Sequence, residues 1–464
     1  MIKKVITNSA IYGLSPYVPK IVSVLLLPIM TQYLTDVDYG IAGTIAAYTL
    51  ALQALSTLGV SAYLQVIFFK AKYQHKVLWR EVYGFLQYWM IAFSIIQSIV
   101  LYFAIPNEAA DHKWEIIILT NFNGVIFGPS GFLGTLYYQL KQKPIPIAIR
   151  SIISGILSII INYVLIVIFR WGYMGWYVGS FAGTFIINST YWYDLNYKLG
   201  LSPIHIPKYR TIRRTLEVSL PVVPHYYSVY LITTSNRVVM DHSGVKIGEI
   251  GQYNLAQQFV TMVESLIMAV ERAISPMCME GIRENKEDEV RREIYLFALL
   301  TYLGTFFFAL WSKELFHLLI NNDNLASSYP MASLLALALM YRPAYIAASN
   351  VFFYYEKTKK LLGITFTAGV IALILNIIAI PIAGLWAAAI ITYIAFLYQG
   401  YSGFLYKFFK ETSKVSYPYK KLLLVQLIMT ITVMCCLELL WYYKAIMTII
   451  CILYSLCFLK KYCR

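Results

Sequence analysis

Charge is scarce in this chain of 464 residues: 13% are Asp, Glu, Lys or Arg, and only 23 are acidic. With 59% hydrophobic residues and a mean hydropathy of +0.62, a protein of this length in water would be left with more apolar surface than it could cover, so water is excluded as the main solvent. The six cysteines, Cys278, Cys435, Cys436, Cys451, Cys457 and Cys463, show neither CxxC nor any other metal-ligand spacing; they read as buried or reduced thiols, and no metal centre is expected from them. No GxxxxGK[ST] phosphate loop is present, which argues against ATP hydrolysis, and no HExxH, GxSxG or acidic metal-binding pair stands in a loop. No cofactor is expected. The first apolar stretch carries no small-residue cleavage site, so a cleavable signal peptide is not expected either.

What the chain does have is apolar runs. Fourteen are read: 11–33, 41–66, 82–104, 116–138, 151–169, 175–193, 216–239, 253–274, 294–319, 330–354, 361–381, 384–406, 422–443 and 445–459. A helix rising 1.5 Å per residue needs roughly 20 apolar residues to cross a hydrocarbon core of about 30 Å, and nearly all of these suffice. The last is short, with a turn placed around Trp441 to Lys444; if the final two form one tight hairpin or lie at the interface, the count falls to twelve.

Basic residues crowd into alternate gaps. Twenty-nine Lys and Arg lie in the even-numbered gaps and the two tails, against four (Lys113, Arg170, Lys246 and Lys444) in the odd-numbered gaps. This is a strong positive-inside bias, and it predicts a multi-pass protein of the bacterial cytoplasmic (inner) membrane with both termini in the cytoplasm. The net charge of +15 then needs no nucleic-acid partner, because a basic rim facing anionic lipid headgroups accounts for most of it.

The chain also repeats itself. Pro16 and Pro19 of the first span recur as Pro221 and Pro224 of the seventh; Gly40 is matched by Gly251; the Tyr137-Tyr138 exit is matched by Tyr354-Tyr355; Asn162 followed by Gly172 is matched by Asn376 followed by Gly384. Four landmarks in one order predict two homologous lobes of six spans each, related by a pseudo-two-fold along the membrane normal. The expected organisation is an N-terminal lobe over 1–193, a basic cytoplasmic linker over 194–214 acting as hinge, a C-terminal lobe over 215–406, and an appended helical hairpin with a basic tail over 407–464. The fold class is therefore all-α integral membrane, two six-helix lobes around a central cavity plus two appended C-terminal helices. Parallel repeats in membranes place a substrate path between lobes and alternate its access by rocking them.

Five basic residues fall at membrane depth: Lys20, Arg237, Arg272, Lys313 and Arg342. Arg272 and Lys313 lie near span ends, where long side chains snorkel. A charge at mid-span costs at least about 2.5 to 3.5 kcal/mol on insertion scales, so Lys20 and Arg342 should face an aqueous cavity or a partner; an ion pair with Glu264 or Glu217 is the plainer reading. Arg237, beside Asn236, is read either as a ligand-binding group or as the partner of Asp241, four residues on. Glu264 and Glu271, seven apart, share one helix face opposite Lys20 or Arg342, and join Glu217, Glu314 and Glu438 as the acidic residues within spans. His225, directly after Pro224, is a candidate proton sensor, with a hydrogen-bonded core histidine as the plainer reading. Each of Pro16, Pro19, Pro221 and Pro224 removes a helical hydrogen bond, so spans one and seven should kink at matching places and serve as gates. Tyrosine, with 40 residues, reads as a headgroup-level belt, and Gly175, Gly179 and Gly183 as a close helix-packing face.

Three motifs carry a resemblance: Pro28-Ile29-Met30-Thr31-Gln32-Tyr33-Leu34 followed by Asp38-Tyr39-Gly40; Asn236-Arg237-Val238-Val239-Met240 followed by Ile250-Gly251-Gln252-Tyr253-Asn254-Leu255-Ala256; and Leu375-Asn376-Ile377-Ile378-Ala379-Ile380-Pro381 followed by Gly384-Leu385-Trp386-Ala387-Ala388-Ala389. Over about residues 1 to 406 the chain resembles the Wzx-type polysaccharide or O-antigen flippases, polysaccharide transporters of the multidrug/oligosaccharidyl-lipid/polysaccharide exporter superfamily. The resemblance implies a non-enzymatic transporter that moves an undecaprenyl-pyrophosphate-linked oligosaccharide between leaflets. Its partners would be membrane lipids and the polysaccharide polymerase and chain-length machinery. With that substrate, the mid-span charges of Lys20 and Arg342, assisted by Arg237, would neutralise the pyrophosphate. Relatives that bind sodium would point to Asn236, Asn376 and Thr392, but where many carry Asp-Arg in the seventh span this chain has Asn236-Arg237, and no carboxylate stands among the three. Three other readings are weighed: a peptidoglycan-precursor flippase; a cation-coupled multidrug exporter of the same superfamily, which would want a central carboxylate in spans one to six; and an integral membrane glycan-modifying enzyme, which would want a catalytic loop. Neither the carboxylate nor the loop is present.

Overall fold

The computed structural model describes residues 17–70, 74–413, 415 and 417–462, and among them no β-strand occurs. Pro16 and the side chain of His225 lie outside the described residues. The chain divides into two compact units, Met1–Tyr227 and Ser228–Arg464.

The first unit runs through α1 (Tyr17–Met30), α2 (Asp36–Thr57), α3 (Ser61–Lys70), α4 (His75–Ala104), α5 (Lys113–Phe127), α6 (Ser130–Leu140), α7 (Pro144–Tyr163), α8 (Tyr173–Tyr193) and α9 (Tyr209–Ser219), and reaches into α10 (Val223–Thr233). Its helix ends follow from local chemistry. The Thr35 hydroxyl accepts the amide of Asp38, and the Asp38 carboxylate accepts the amide of Thr35, a reciprocal box that starts α2. The other oxygen of Asp38 accepts the amide of Tyr173 at the start of α8. Next to it Gly172 sits at φ +51°, where a Cβ would stand 2.7 Å from that same carboxylate, so only glycine fits. Tyr39 packs edge-on against Trp176, with ring centroids 4.8 Å apart. The Asp38-Tyr39-Gly40 motif is thus a clasp between α2 and α8.

Gly175, Gly179 and Gly183 line the face of α8 that meets α7: a Cβ on Gly179 would fall 1.8 Å from Asn162 Oδ1. Between α5 and α6 the fourth span bends by 55°, at Gly128 and Pro129.

Segment 194–214, expected to be a hinge, is fastened to the first unit. Ile204 N donates to Arg80 O at 2.9 Å, Arg80 Nε donates to Ser202 O at 2.8 Å, and α9 packs on α3 and α4. The division between the units falls beyond it, inside the seventh span. There Pro221 in a 3-10 turn (Leu220–Val222) and Pro224 at the head of α10 interrupt the helix, as proline must when it lacks the N–H for the ladder.

The second unit continues with α11 (Ser235–His242), α12 (Ile247–Arg283), α13 (Glu287–Leu310), α14 (Ser312–Leu319), α15 (Asp323–Ala326), α16 (Tyr329–Ala338), α17 (Arg342–Tyr354), α18 (Thr358–Leu405), α19 (Lys407–Thr412), α20 (Tyr419–Cys436) and α21 (Trp441–Tyr462). The 48 residues of α18 are two spans, because Gly384 breaks them at φ +57°, ψ −140°, nearly the backbone angles of Gly172 (φ +51°, ψ −135°) at the matching place of the first repeat.

The two C-terminal helices, appended in sequence, are bound into this unit. Gln426 of α20 is wholly buried, donates to Tyr302 Oη and Met340 O, and accepts from Tyr401 Oη. Thr430 meets Tyr393 Oη at 2.9 Å.

By length and apolarity alone, seven helices among the described residues suffice to cross a membrane, or eight if the bent α5–α6 pair is one span. Among the described residues the first and last runs keep only the shorter apolar helices Pro19–Met30 and Trp441–Leu453, and the rest of the difference from fourteen has physical causes. Both halves of α18 count there as one helix, the seventh span is broken at its prolines and again at Thr234, and α8 and α12 dilute their apolar residues with tyrosine, glycine and carboxylates. Two ends also move. The ninth span stops at Leu310 and the rest of that run forms the separate α14; the last turn falls before Trp441, so α21 spans 22 residues where fifteen were expected.

Candidate functional site

In the second unit, Gln257, Glu264 and Glu271 follow one another at heptad spacing on α12 and so share a face of the helix. Against that face stands Arg342, the first residue of α17 after the 3-10 turn Leu339–Tyr341. Its Nε donates to Glu271 Oε2 at 2.7 Å and its Nη1 to Glu264 Oε1 at 3.3 Å. All three side chains keep about a fifth of their surface exposed, 19% for Arg342 and 21% for each glutamate.

Two carboxylates on one guanidinium leave a net charge of −1. Charges that stay partly open at mid-span are costly against acyl chains and call for water or a polar partner beside them. The sequence placed Glu264 and Glu271 opposite Lys20 or Arg342, and the structure brings them to Arg342. The pairing takes Arg342 out of the free cations available to a pyrophosphate, because an incoming anion would first have to displace a carboxylate.

A second polar cluster lies deeper. Arg237 is buried, donates from Nη1 to Asn254 Oδ1 at 2.6 Å, and leaves Nε without a partner. It turns to the next helix instead of pairing with Asp241. Asn236 donates to Tyr253 Oη at 2.6 Å and lies 3.4 Å from Thr392 Oγ1. Asn376 is wholly buried, and neither its amide nitrogen nor its amide oxygen has a partner. The structure therefore joins Asn236 and Thr392, the weak sodium candidates, but does not bond Asn376 to them. The donors are neutral oxygens beside a buried guanidinium, a poor setting for a cation. Among the described residues no group of three or more His, Cys, Asp or Glu converges.

In the first unit Lys20 is exposed on α1, while its neighbour Pro19 packs against α7, where a Cβ on Gly155 would fall 2.4 Å from the proline ring. The Asp194 carboxylate, buried at the end of α8, accepts from Tyr138 Oη at 2.7 Å, pairs with Arg150, and lies 3.2 Å from Lys198 Nζ. Burial alone would raise its pKa; the phenol and the two cations outweigh this and hold it below the usual carboxylate value.

Three partnerships escaped the sequence. Lys444, assigned to a loop, is wholly buried and gives its ammonium to Glu314. Lys313, assigned to snorkelling, pairs with Glu438, which also accepts from Tyr329. Trp311 Nε1 donates to Thr448 Oγ1 at 3.0 Å. Together they fix the C-terminal hairpin to the short stretch around α14. Signals were present, since Glu314 and Glu438 stand inside apolar runs and each needs a cation.

Solved structures of multi-pass transporters share this all-helical architecture of apolar spans. The lipid II flippase MurJ in an inward closed conformation superposes with a TM-score of 0.76 at 14% identity, over 98% of this chain and 99% of that one. A MOP superfamily transporter from Pyrococcus furiosus gives 0.61 at 13% identity, over 86% and 94%. A multidrug resistance MATE family transporter in an inward-facing conformation gives 0.60 at 15%, over 88% and 96%. At these identities the likeness is one of fold. The sequence itself matches the polysaccharide biosynthesis protein family over residues 5–281, and the chain belongs to that family. No curated protein matches it.

Proposed function

We propose that this chain is a flippase that moves undecaprenyl-pyrophosphate-linked oligosaccharide repeat units from the cytoplasmic to the outer leaflet by alternating access, for the assembly of O-antigen, capsule or exopolysaccharide. The observation that carries the reading, beyond the family, is the partly open Glu264–Arg342–Glu271 triad at membrane depth. A polar lipid headgroup cannot cross hydrocarbon unaided, and hydrated charge at mid-span provides a path for it. In this reading Lys20, assisted by Arg237, meets the anionic pyrophosphate, and the polyprenyl tail stays in lipid. Pro19, Pro221 and Pro224, with Pro16, allow spans one and seven to bend. The chain works in the bacterial inner membrane with both termini cytoplasmic, alongside polymerase and chain-length proteins, and catalyses no covalent step.

The experiment is translocation by the full-length protein in proteoliposomes, scored as arrival of a fluorescent lipid-linked oligosaccharide in the opposite leaflet. Transport well above protein-free vesicles, reduced at least about tenfold by Lys20→Gln, is expected. Vesicles that transport no more than the protein-free control would overturn the proposal.

A further inference from the structure

We infer that the Glu264–Arg342–Glu271 triad is a sugar-reading subsite that admits neutral glycans and discriminates against those bearing a carboxylate; this rests on the flippase reading above. The triad is a mixed-charge constellation with unused capacity. A guanidinium has five N–H donors, and among the described residues Arg342 uses only Nε and Nη1, so Nη2 donates to nothing. Glu271 accepts through Oε2, and its Oε1 accepts no hydrogen bond among the described residues. A guanidinium donor and a carboxylate acceptor therefore stand together where the side chains are partly open.

That pattern fits a pair of sugar hydroxyls. One hydroxyl donates to a carboxylate oxygen and the other accepts from the guanidinium; both bonds are charge-assisted and so stronger than neutral ones. Tyr345, one turn along α17 and within electrostatic reach of Arg342 and Glu271, offers a ring of the kind on which a pyranose face rests. A uronic acid at this place would bring a third carboxylate to one guanidinium. Like charges juxtaposed in a partly desolvated site repel one another, which makes the subsite a filter by repulsion as well as by attraction. The pairing also explains why Arg342 is not left open: a bare guanidinium would favour the acidic glycan, and its two clasps reverse that preference.

The test uses the intact protein in proteoliposomes and two probes on the same polyprenyl pyrophosphate, a neutral N-acetylhexosamine disaccharide and its analogue ending in a hexuronic acid. Wild type should carry the neutral probe at least about tenfold faster. Glu271→Gln, which brings the triad to neutrality while Glu264 still holds Arg342, should narrow the ratio to about threefold or less, and Arg342→Gln should widen it. Unfolding temperature measured with each free disaccharide gives a second readout in variants whose transport is weak. Equal transport of both probes by wild type, or an unchanged ratio in a folded Glu271→Gln, would sink the subsite and leave the flippase standing. Failure of wild type to move either probe, with no thermal shift from either sugar, would remove both.

Discussion

Lys444 and Glu314 form a two-point ion pair, with the ammonium 2.7 and 2.9 Å from the two carboxylate oxygens and the lysine wholly buried. Breaking such a pair strands a charge, whereas replacing both members does not. Lys444→Met should destabilise the fold by about 2 to 3 kcal/mol, less than a fully enclosed pair because Glu314 is a third exposed, and the Lys444→Met, Glu314→Gln double variant should recover part of that. Thermal unfolding in detergent measures both.

Asp194 makes stability depend on pH in a known direction. Its folded pKa is held down, so its contribution is complete above the unfolded value of about 3.9 and is lost as pH falls through the lower folded value. Asp194→Asn should flatten the acid limb of the stability profile and, by leaving the Arg150 guanidinium uncompensated, cost about 3 kcal/mol at neutral pH. An acid limb of unaltered slope in the variant would refute this.

The two glycine breaks separate backbone strain from crowding. Around Gly384 nothing lies within 4 Å of an added Cβ, so Gly384→Ala should cost only the strain of its backbone angles, roughly 1 to 3 kcal/mol. Gly172→Ala adds a contact at 2.7 Å to the Asp38 carboxylate and should be the worse of the pair. Unfolding temperatures ranked the other way would contradict the assignment.

Arg237 depends on Asn254. Asn254→Leu removes the acceptor from a buried guanidinium and should cost on the order of 3 kcal/mol; Arg237→Leu combined with it should cost less than the two single changes together. A double-mutant cycle on purified protein reads the coupling.

Much of this was legible in the sequence, for reasons that differ by feature. The break at Gly384 announced itself because a glycine three residues after Pro381 punctuates an apolar run, and Glu264 and Glu271 declared a common face by their spacing. The end of α13 at Leu310 did not, because Leu315, Phe316, Leu318 and Leu319 resume the apolar run beyond Ser312-Lys313-Glu314. Lys444 misled for an instructive reason. Lysine in a short gap reads as a loop, and only the fold shows Glu314, far away in sequence, waiting for it. Arg237 was similar: Asp241 is its near neighbour on the helix, yet the partner that holds it is Asn254, which belongs to the next one. Segment 194–214 read as a hinge from its charge, while its attachment rests on main-chain bonds to Arg80 that composition does not reveal.

The carboxylate of Asp38 serves two helix starts at once, its own and that of α8. Amide protons at Thr35 and Tyr173 are thereby shielded by one side chain, so a single opening event exposes both. In deuterated buffer the two sites should lose protection at a common rate, and the first unit should fray there in concert, without one loop loosening ahead of the other.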